Sequence, residues 1–169
     1  ARVSPVCVAL SRKCGRPVRI VLTREEVLRA TGPGAATVST VKIGVKRSGQ
    51  LTALHARYIY SGGCYPGAPI NRAIWAAMAP YQIPNFKVEG FDVVTNKPKC
   101  VPYRAPGGAA ANYAIEATMD EVARALAMDP LQLRKKNISR AGDPAPAGGN
   151  FDAIGFERIL ATIERHPCW

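Results

Sequence analysis

Residues 36–60 carry the pattern that most restricts this chain. Val41, Ile43 and Val45 fall on one face while Thr40, Lys42 and Lys46 fall on the other. That period of two belongs to a half-buried strand and cannot make a helical stripe. Arg47-Ser48-Gly49-Gln50 supplies a turn, and residues 51–60 return, so the reading is a long antiparallel hairpin. Everything else has to pack around it.

The segments on either side alternate between helical and extended signals. Ser4-Pro5 reads as an N-cap and first-turn pair, Val3, Val6, Cys7, Leu10 and Cys14 recur at helical spacing, and Gly15 can close that helix. Residues 17–22 are β-branched and read as a strand. Thr23 with Glu26 forms a capping box for a short helix that Thr31-Gly32-Pro33-Gly34 ends. Gly62-Gly63 and Pro66-Gly67 mark a loop, and residues 71–78 make a helical turn or two before Pro80. Residues 86–95 read as another strand with a bulge at Gly90. Ile115, Met119, Val122 and Leu126 give a helix over 109–127 one apolar stripe. Asp129-Pro130-Leu131-Gln132 reads as a second capping box, opening a helix to about Ile138. After a loop over 141–150, Phe156, Ile159, Leu160 and Ile163 form a last helix ending near Arg165. The expected fold class is α+β: an antiparallel hairpin and additional strands packed with amphipathic helices. Residues 1–108 are the mixed part and 109–169 the mainly helical part.

Composition narrows what such a fold can do. The chain has 169 residues, 47% of them hydrophobic, which suits one domain. Its apolar runs, such as residues 74–79, fall far short of the ~20 residues that cross a bilayer. The start, Ala1-Arg2-Val3-Ser4-Pro5, lacks Met and a secretory pattern and reads as the edge of a cut piece. Cysteines at 7, 14, 64, 100 and 168 include no C-x-x-C, and His55 and His166 are far from any paired Cys, which argues against zinc. The odd, scattered set reads as reduced thiols in a cytoplasm, with Cys7 and Cys14 packing as small hydrophobes on one helix face. A charge of +11 invites a polyanion, yet only Arg134-Lys135-Lys136 cluster, with no aromatic interleaving. The surplus equally suits an anionic cofactor or an acidic partner.

Chemistry concentrates in residues 97–108. No triad, metal cluster or phosphate loop is present. In this segment Arg104 and Gly107-Gly108 lead straight into the N-terminus of the 109–127 helix. Free helix-terminal N–H groups, glycine for close approach and a guanidinium fork together favour an anionic or oxo-bearing ligand.

Tyr103-Arg104-Ala105-Pro106-Gly107, with Ile83-Pro84-Asn85 before it and Gly15-Arg16-Pro17-Val18-Arg19 through Arg24-Glu25-Glu26 near the start, resembles the molybdenum-binding large subunit of the xanthine dehydrogenase and aldehyde oxidase family. The resemblance continues through Glu116, Asp120-Glu121-Val122-Ala123, Asp129-Pro130 and Leu133-Arg134-Lys135-Lys136-Asn137. It covers nearly the whole chain. It implies a molybdenum hydroxylase in which a molybdopterin cofactor carries the metal, water supplies oxygen to an aldehyde or N-heteroaromatic, and electrons leave through iron–sulfur clusters and FAD on partner subunits or domains.

Carried over residue by residue, the resemblance places Tyr103, Arg104 and Ala105 at the cofactor, and Arg72, Pro106 and Gly107 at the substrate. It supplies no metal ligand and no catalytic residue in this segment. Copper-dependent carbon monoxide dehydrogenases place a Cys where Ala105 stands, which argues against that activity. Many members continue with Pro-Gln where this chain has Ala109-Ala110 after Gly107-Gly108. The family's Gly-rich loop is expected before Ala1, and its catalytic Glu beyond Trp169, so 169 residues read as an internal piece of a larger subunit. Glu116 and Glu121 are expected to serve packing and capping. The competing readings are a stand-alone basic module for nucleic acid or another polyanion, and an inactive structural remnant.

Overall fold

A computed structural model describes residues 3–169 as two compact units, Ala1–Pro33 and Gly34–Trp169. The first holds helices α1 (Val3–Cys14) and α2 (Arg24–Ala30). The capping box on α2 is complete: the Glu26 amide donates to Thr23 Oγ1 at 3.2 Å, and Glu26 Oε2 accepts from the Thr23 amide at 2.7 Å. Gly15 takes φ +65° directly after α1, as a helix-closing glycine should.

Three expectations for this unit are corrected. Because α1 already includes Val3, Ser4 and Pro5 lie inside its first turn and do not cap it. Residues 17–22 carry no regular secondary structure and join no ladder. β-Branched side chains favour extended backbone, but a strand requires a partner, and the ladders among the described residues join other segments. Neither Cys7 nor Cys14 is buried, and Cys14 is exposed. A unit of this size is too short to enclose a core of its own.

The second unit is built on the hairpin. Strands β1 (Thr37–Val45) and β2 (Leu51–Gly63) are antiparallel, with Val41 opposite Ala56 and Ile43 opposite Leu54. Gly49 turns the hairpin at φ +83°. Helix α3 (Ile70–Met78) then carries the chain back, so that β3 (Asn85–Val94) joins β2 in parallel. A helical crossover is what a parallel pairing requires. The sheet is thus mixed, in the order β1-β2-β3. Gly90 is no bulge: it sits in register opposite Tyr58. Its reason is space, since a Cβ there would lie 2.8 Å from Ile74 Cδ1 of α3.

One face of β2 is buried, through Leu54, Ala56, Tyr58 and Tyr60, while Ala53, His55 and Arg57 alternate outward. Helix α4 (Gly108–Ala125) packs on β1 and on α3. Its buried line is Ala111, Ile115, Met119 and Ala123, with Val122 packed at its margin. Sequence spacing found Ile115 and Met119 but not the flanking alanines. Ala73 and Ala77 of α3 belong to the same core, where small side chains let helices approach closely. Burying Ile115 and Met119 stabilises by about 1.5–3 kcal/mol each.

Helices α5 (Pro130–Asn137) and α6 (Phe156–Glu164) complete the unit. Asp129 caps α5, accepting the Gln132 amide at 2.9 Å with Pro130 in the first turn. The expected capping box is only half made, because the Gln132 side chain donates to Glu164 of α6 instead, at 2.5 Å. Buried Asn137 anchors the hairpin: its Oδ1 accepts the Leu51 amide at 2.9 Å and its Nδ2 donates to Gly49 O at 2.8 Å. Among the described residues, no helix is long and apolar enough to cross a membrane.

Candidate functional site

The Arg104 segment is an extension of the sheet that has left its plane. Beyond β2 and β3 the ladder continues loosely: the Thr95 amide donates to Gly63 O at 3.0 Å, the Cys64 amide to Lys97 O at 2.9 Å, and the Cys100 amide to Gly62 O at 3.0 Å. Gly63 has φ +78°, and a Cβ there would collide with the Pro98 carbonyl. Cys100 is buried, which fixes the root of the loop.

From that root the chain rises to the surface. Tyr103 is 80% exposed and Arg104 is exposed. Ala105 then adopts φ +50°, a left-handed conformation costing a non-glycine residue about 1–2 kcal/mol. Such strain persists only where the surroundings over-determine the backbone, and here they do. The Gly108 amide donates to Ala105 O at 2.9 Å, closing a turn. Gly107, at φ +77°, accepts at its carbonyl from the buried Tyr60 hydroxyl at 2.8 Å and from the Ala111 amide at 3.2 Å. A Cβ on Gly107 would strike the Pro69 carbonyl and lie 3.0 Å from Ala73 Cβ. The turn is therefore seated on the first turn of α3, next to Arg72.

Arg72 is exposed on α3, while Pro106 and Gly107 are half-buried beneath the loop. Neither Arg72 nor Arg104 has a hydrogen-bond or ion-pair partner among the described residues. Helix α4 has Gly107 at its N-cap, with no side-chain cap and no acidic residue in its first turn. The amides of Ala109 and Ala110 have no partner among the described residues. An uncapped helix start preceded by an arginine whose guanidinium is free suits an anionic or oxo-bearing group, while the glycines themselves serve the close packing on α3.

The other titratable groups singled out by sequence have different work. Both carboxylate oxygens of Glu116 accept from the Tyr81 hydroxyl, at 2.8 and 3.0 Å, and Glu116 also pairs with Arg134 at 2.8 Å. Arg134 reaches Asp120 at 2.8 Å as well. Burial, and then the Glu116 charge, push the Tyr81 phenol well above its ordinary value. Glu116 is thus a structural carboxylate joining α4, α5 and the turn after α3. The basic run is likewise engaged: Lys135 pairs with Glu164 at 2.5 Å and Lys136 donates to Ser48 O. A cleft of about 740 Å³ between α4, α5 and α6, lined by Met128, Leu131, Phe156 and Trp169, includes no residue of the Arg104 loop.

Sequence reasoning missed Tyr60 as the loop's anchor, and Asp92 and Lys99, which grip the adjacent loop. Tyr60 was visible only as an apolar strand position, because its partner is 47 residues away.

A mixed sheet backed by helices, with the Arg104 turn leading into an uncapped helix start, is an α+β scaffold of a kind found among known proteins. Comparison with known proteins identifies which one. The family model of the molybdopterin cofactor-binding domain matches residues 1–138, and the chain belongs to that family. It is 34% identical over 98% of its length to a probable xanthine dehydrogenase subunit of Bacillus subtilis, covering 23% of that protein. Its fold matches an aldehyde oxidoreductase from Desulfovibrio gigas with TM-score 0.80 and 27% identity, over 96% of this chain and 18% of that one. It also matches quinoline 2-oxidoreductase from Pseudomonas putida 86, with TM-score 0.76 and 25% identity over 94% of this chain and 21% of that one. The chain therefore spans about a fifth of the length of these relatives.

Proposed function

We propose that this chain contributes, through its Arg104 loop and Arg72, one wall of the molybdopterin and substrate site of a molybdenum hydroxylase of the xanthine dehydrogenase and aldehyde oxidase kind. The observation that carries this reading is the Arg104 turn, held by Tyr60 and Pro69 with Ala105 strained and the guanidinium free. The residues present fit an anionic, oxo-bearing cofactor: an unpaired cation and open amides at the start of α4. When bound, the cofactor supplies oxidative hydroxylation with oxygen drawn from water.

The chain's own part is binding and orientation. Tyr103, Arg104 and Ala105 face the cofactor. Arg72, Pro106 and Gly107 face the substrate, an aldehyde or an N-heteroaromatic ring, with Arg72 offering a charge to develop against. Pro106 and Gly107 leave that wall without an aromatic ring to stack a flat substrate. The remaining cofactor contacts and the catalytic base come from other parts of the subunit, and iron–sulfur and FAD units remove the electrons. The free thiols suit a reducing cytoplasm. Engagement of Arg134, Lys135 and Lys136 in internal contacts weighs against the polyanion-binding alternative.

The test is Arg104→Ala in the full-length subunit. Turnover and molybdenum content per subunit should fall while the melting temperature holds. Unchanged turnover and metal content would remove Arg104 from the site.

A further inference from the structure

Residues 65–68, between β2 and α3, are gripped from two sides by opposite charges. Asp92, on β3, accepts through Oδ2 from the amides of Gly67 at 2.5 Å and Ala68 at 3.1 Å. Its Oδ1 comes so close to Gly62 that a Cβ there would lie 2.6 Å away. Lys99 donates through Nζ to Tyr65 O at 3.1 Å and Pro66 O at 2.9 Å. Four consecutive residues thus present two carbonyls to a cation and two amides to an anion. Neither Asp92 nor Lys99 joins an ion pair among the described residues. Both charges are committed to shaping backbone, and charge-assisted bonds of this kind are roughly twice as strong as neutral ones.

What they shape adjoins the site. The loop ends at Pro69, whose carbonyl is the surface on which Gly107 sits, and it runs directly into α3 with Arg72. Asp92 is also the cross-strand neighbour of Tyr60, whose hydroxyl holds Gly107 O from below. One register position of the sheet therefore fastens both loops: Tyr60 the Arg104 turn, Asp92 the approach to α3. Lys99, in the root of the Arg104 segment, ties that segment to the same loop.

We propose that Asp92 and Lys99 are positioning residues that set the spacing between the Arg104 turn and the Arg72 helix, fixing the backbone from which the two arginines project. This rests on the reading of Arg104 and Arg72 as cofactor and substrate contacts. Cofactor-site geometry then depends on charges lying outside the Tyr103–Gly107 motif.

The experiment compares Asp92→Ala, Asp92→Asn, Lys99→Met and Lys99→Arg in the assembled full-length enzyme. It reads amide hydrogen exchange over residues 64–69 and 105–110, kcat and KM, and molybdenum per subunit. Asp92→Ala should speed exchange about tenfold in both segments and lower kcat more than it raises KM, with only a small fall in melting temperature. Asp92→Asn keeps an acceptor oxygen and should restore most of each effect. Lys99→Met should behave like Asp92→Ala, and Lys99→Arg should recover part of the loss. Faster exchange confined to 64–69, or an Asn variant as impaired as the Ala variant, would overturn the proposal. Should Arg104→Ala and Arg72→Ala leave turnover and metal content intact while Asp92→Ala still loosens 105–110, the functional reading fails and the coupling between the loops stands.

Discussion

Replacing Gly107 by Ala tests whether the Arg104 turn is seated on α3 as tightly as its geometry requires. Two costs add. The left-handed φ of +77° strains an L side chain by about 1–2 kcal/mol, offset in part by the ~0.4–1 kcal/mol that a lost glycine gains in the unfolded chain. The new Cβ also meets the Pro69 carbonyl, which is backbone and cannot swing aside, and overpacking of that kind costs about 1–3 kcal/mol. The expected loss is about 1–4.5 kcal/mol, of which about 1–3 comes from the contact with Pro69. Gly142 supplies the control, with φ +86° and nothing within 4 Å of an added Cβ. Gly142→Ala carries the strain alone and should lose only about 1 kcal/mol. Urea unfolding followed by circular dichroism measures both, as midpoint shifts at constant m-value. Equal losses in the two variants would show that Gly107 is needed only for its φ and that the turn does not press on Pro69.

Arg134→Met should destabilise by about 2–3 kcal/mol in the same assay, below the figure for a fully buried pair because Glu116 and Asp120 are partly exposed. A loss under about 0.5 kcal/mol would make the Tyr81–Glu116–Arg134 cluster a surface pairing. Burial first, and then neighbouring Tyr60, push the Tyr58 phenol from 10.0 up to about 12. The folded chain keeps a proton that the unfolded chain releases, so this contribution is complete below pH 10 and is lost as pH rises from 10 to about 12. Tyr58→Phe should make that alkaline decline shallower. At neutral pH it should be neutral or stabilise by up to ~1 kcal/mol, since the buried hydroxyl has no partner among the described residues. Unfolding midpoints across a pH series, with tyrosinate absorbance, read both effects. Arg72→Ala in the full-length subunit should raise the barrier by a few kcal/mol for N-heteroaromatics and less for simple aldehydes. Equal effects on the two substrate classes would argue against a substrate-charge role.

Local patterns were legible where one segment carries both sides of an interaction. The hairpin declared itself because Val41 and Ile43 alternate with Thr40 and Lys42, and the α2 cap because Thr23 and Glu26 satisfy each other within one turn. The same logic misread Gln132, whose capping role was lost to Glu164, a residue 32 positions away. It misread Gly90 too, where a flexible residue in a strand looked like a bulge and is in fact clearance for Ile74. Residues 17–22 had the composition of a strand and no partner to make one.

The sequence by itself determined the helix and strand inventory of residues 34–169 and the ordered run of motifs, of which the one around Arg104 is a part, that together point to the family. These depend on nearest neighbours, on period, and on residues that must sit side by side. Only the tertiary structure decided that β3 runs parallel to β2, that Asn137 holds the hairpin from 86 residues away, and that Tyr60 and Pro69 fix the Arg104 turn. Each of those is a contact between segments distant along the chain. No local pattern encodes such a contact, because its partners are chosen by how the sheet and helices close upon one another.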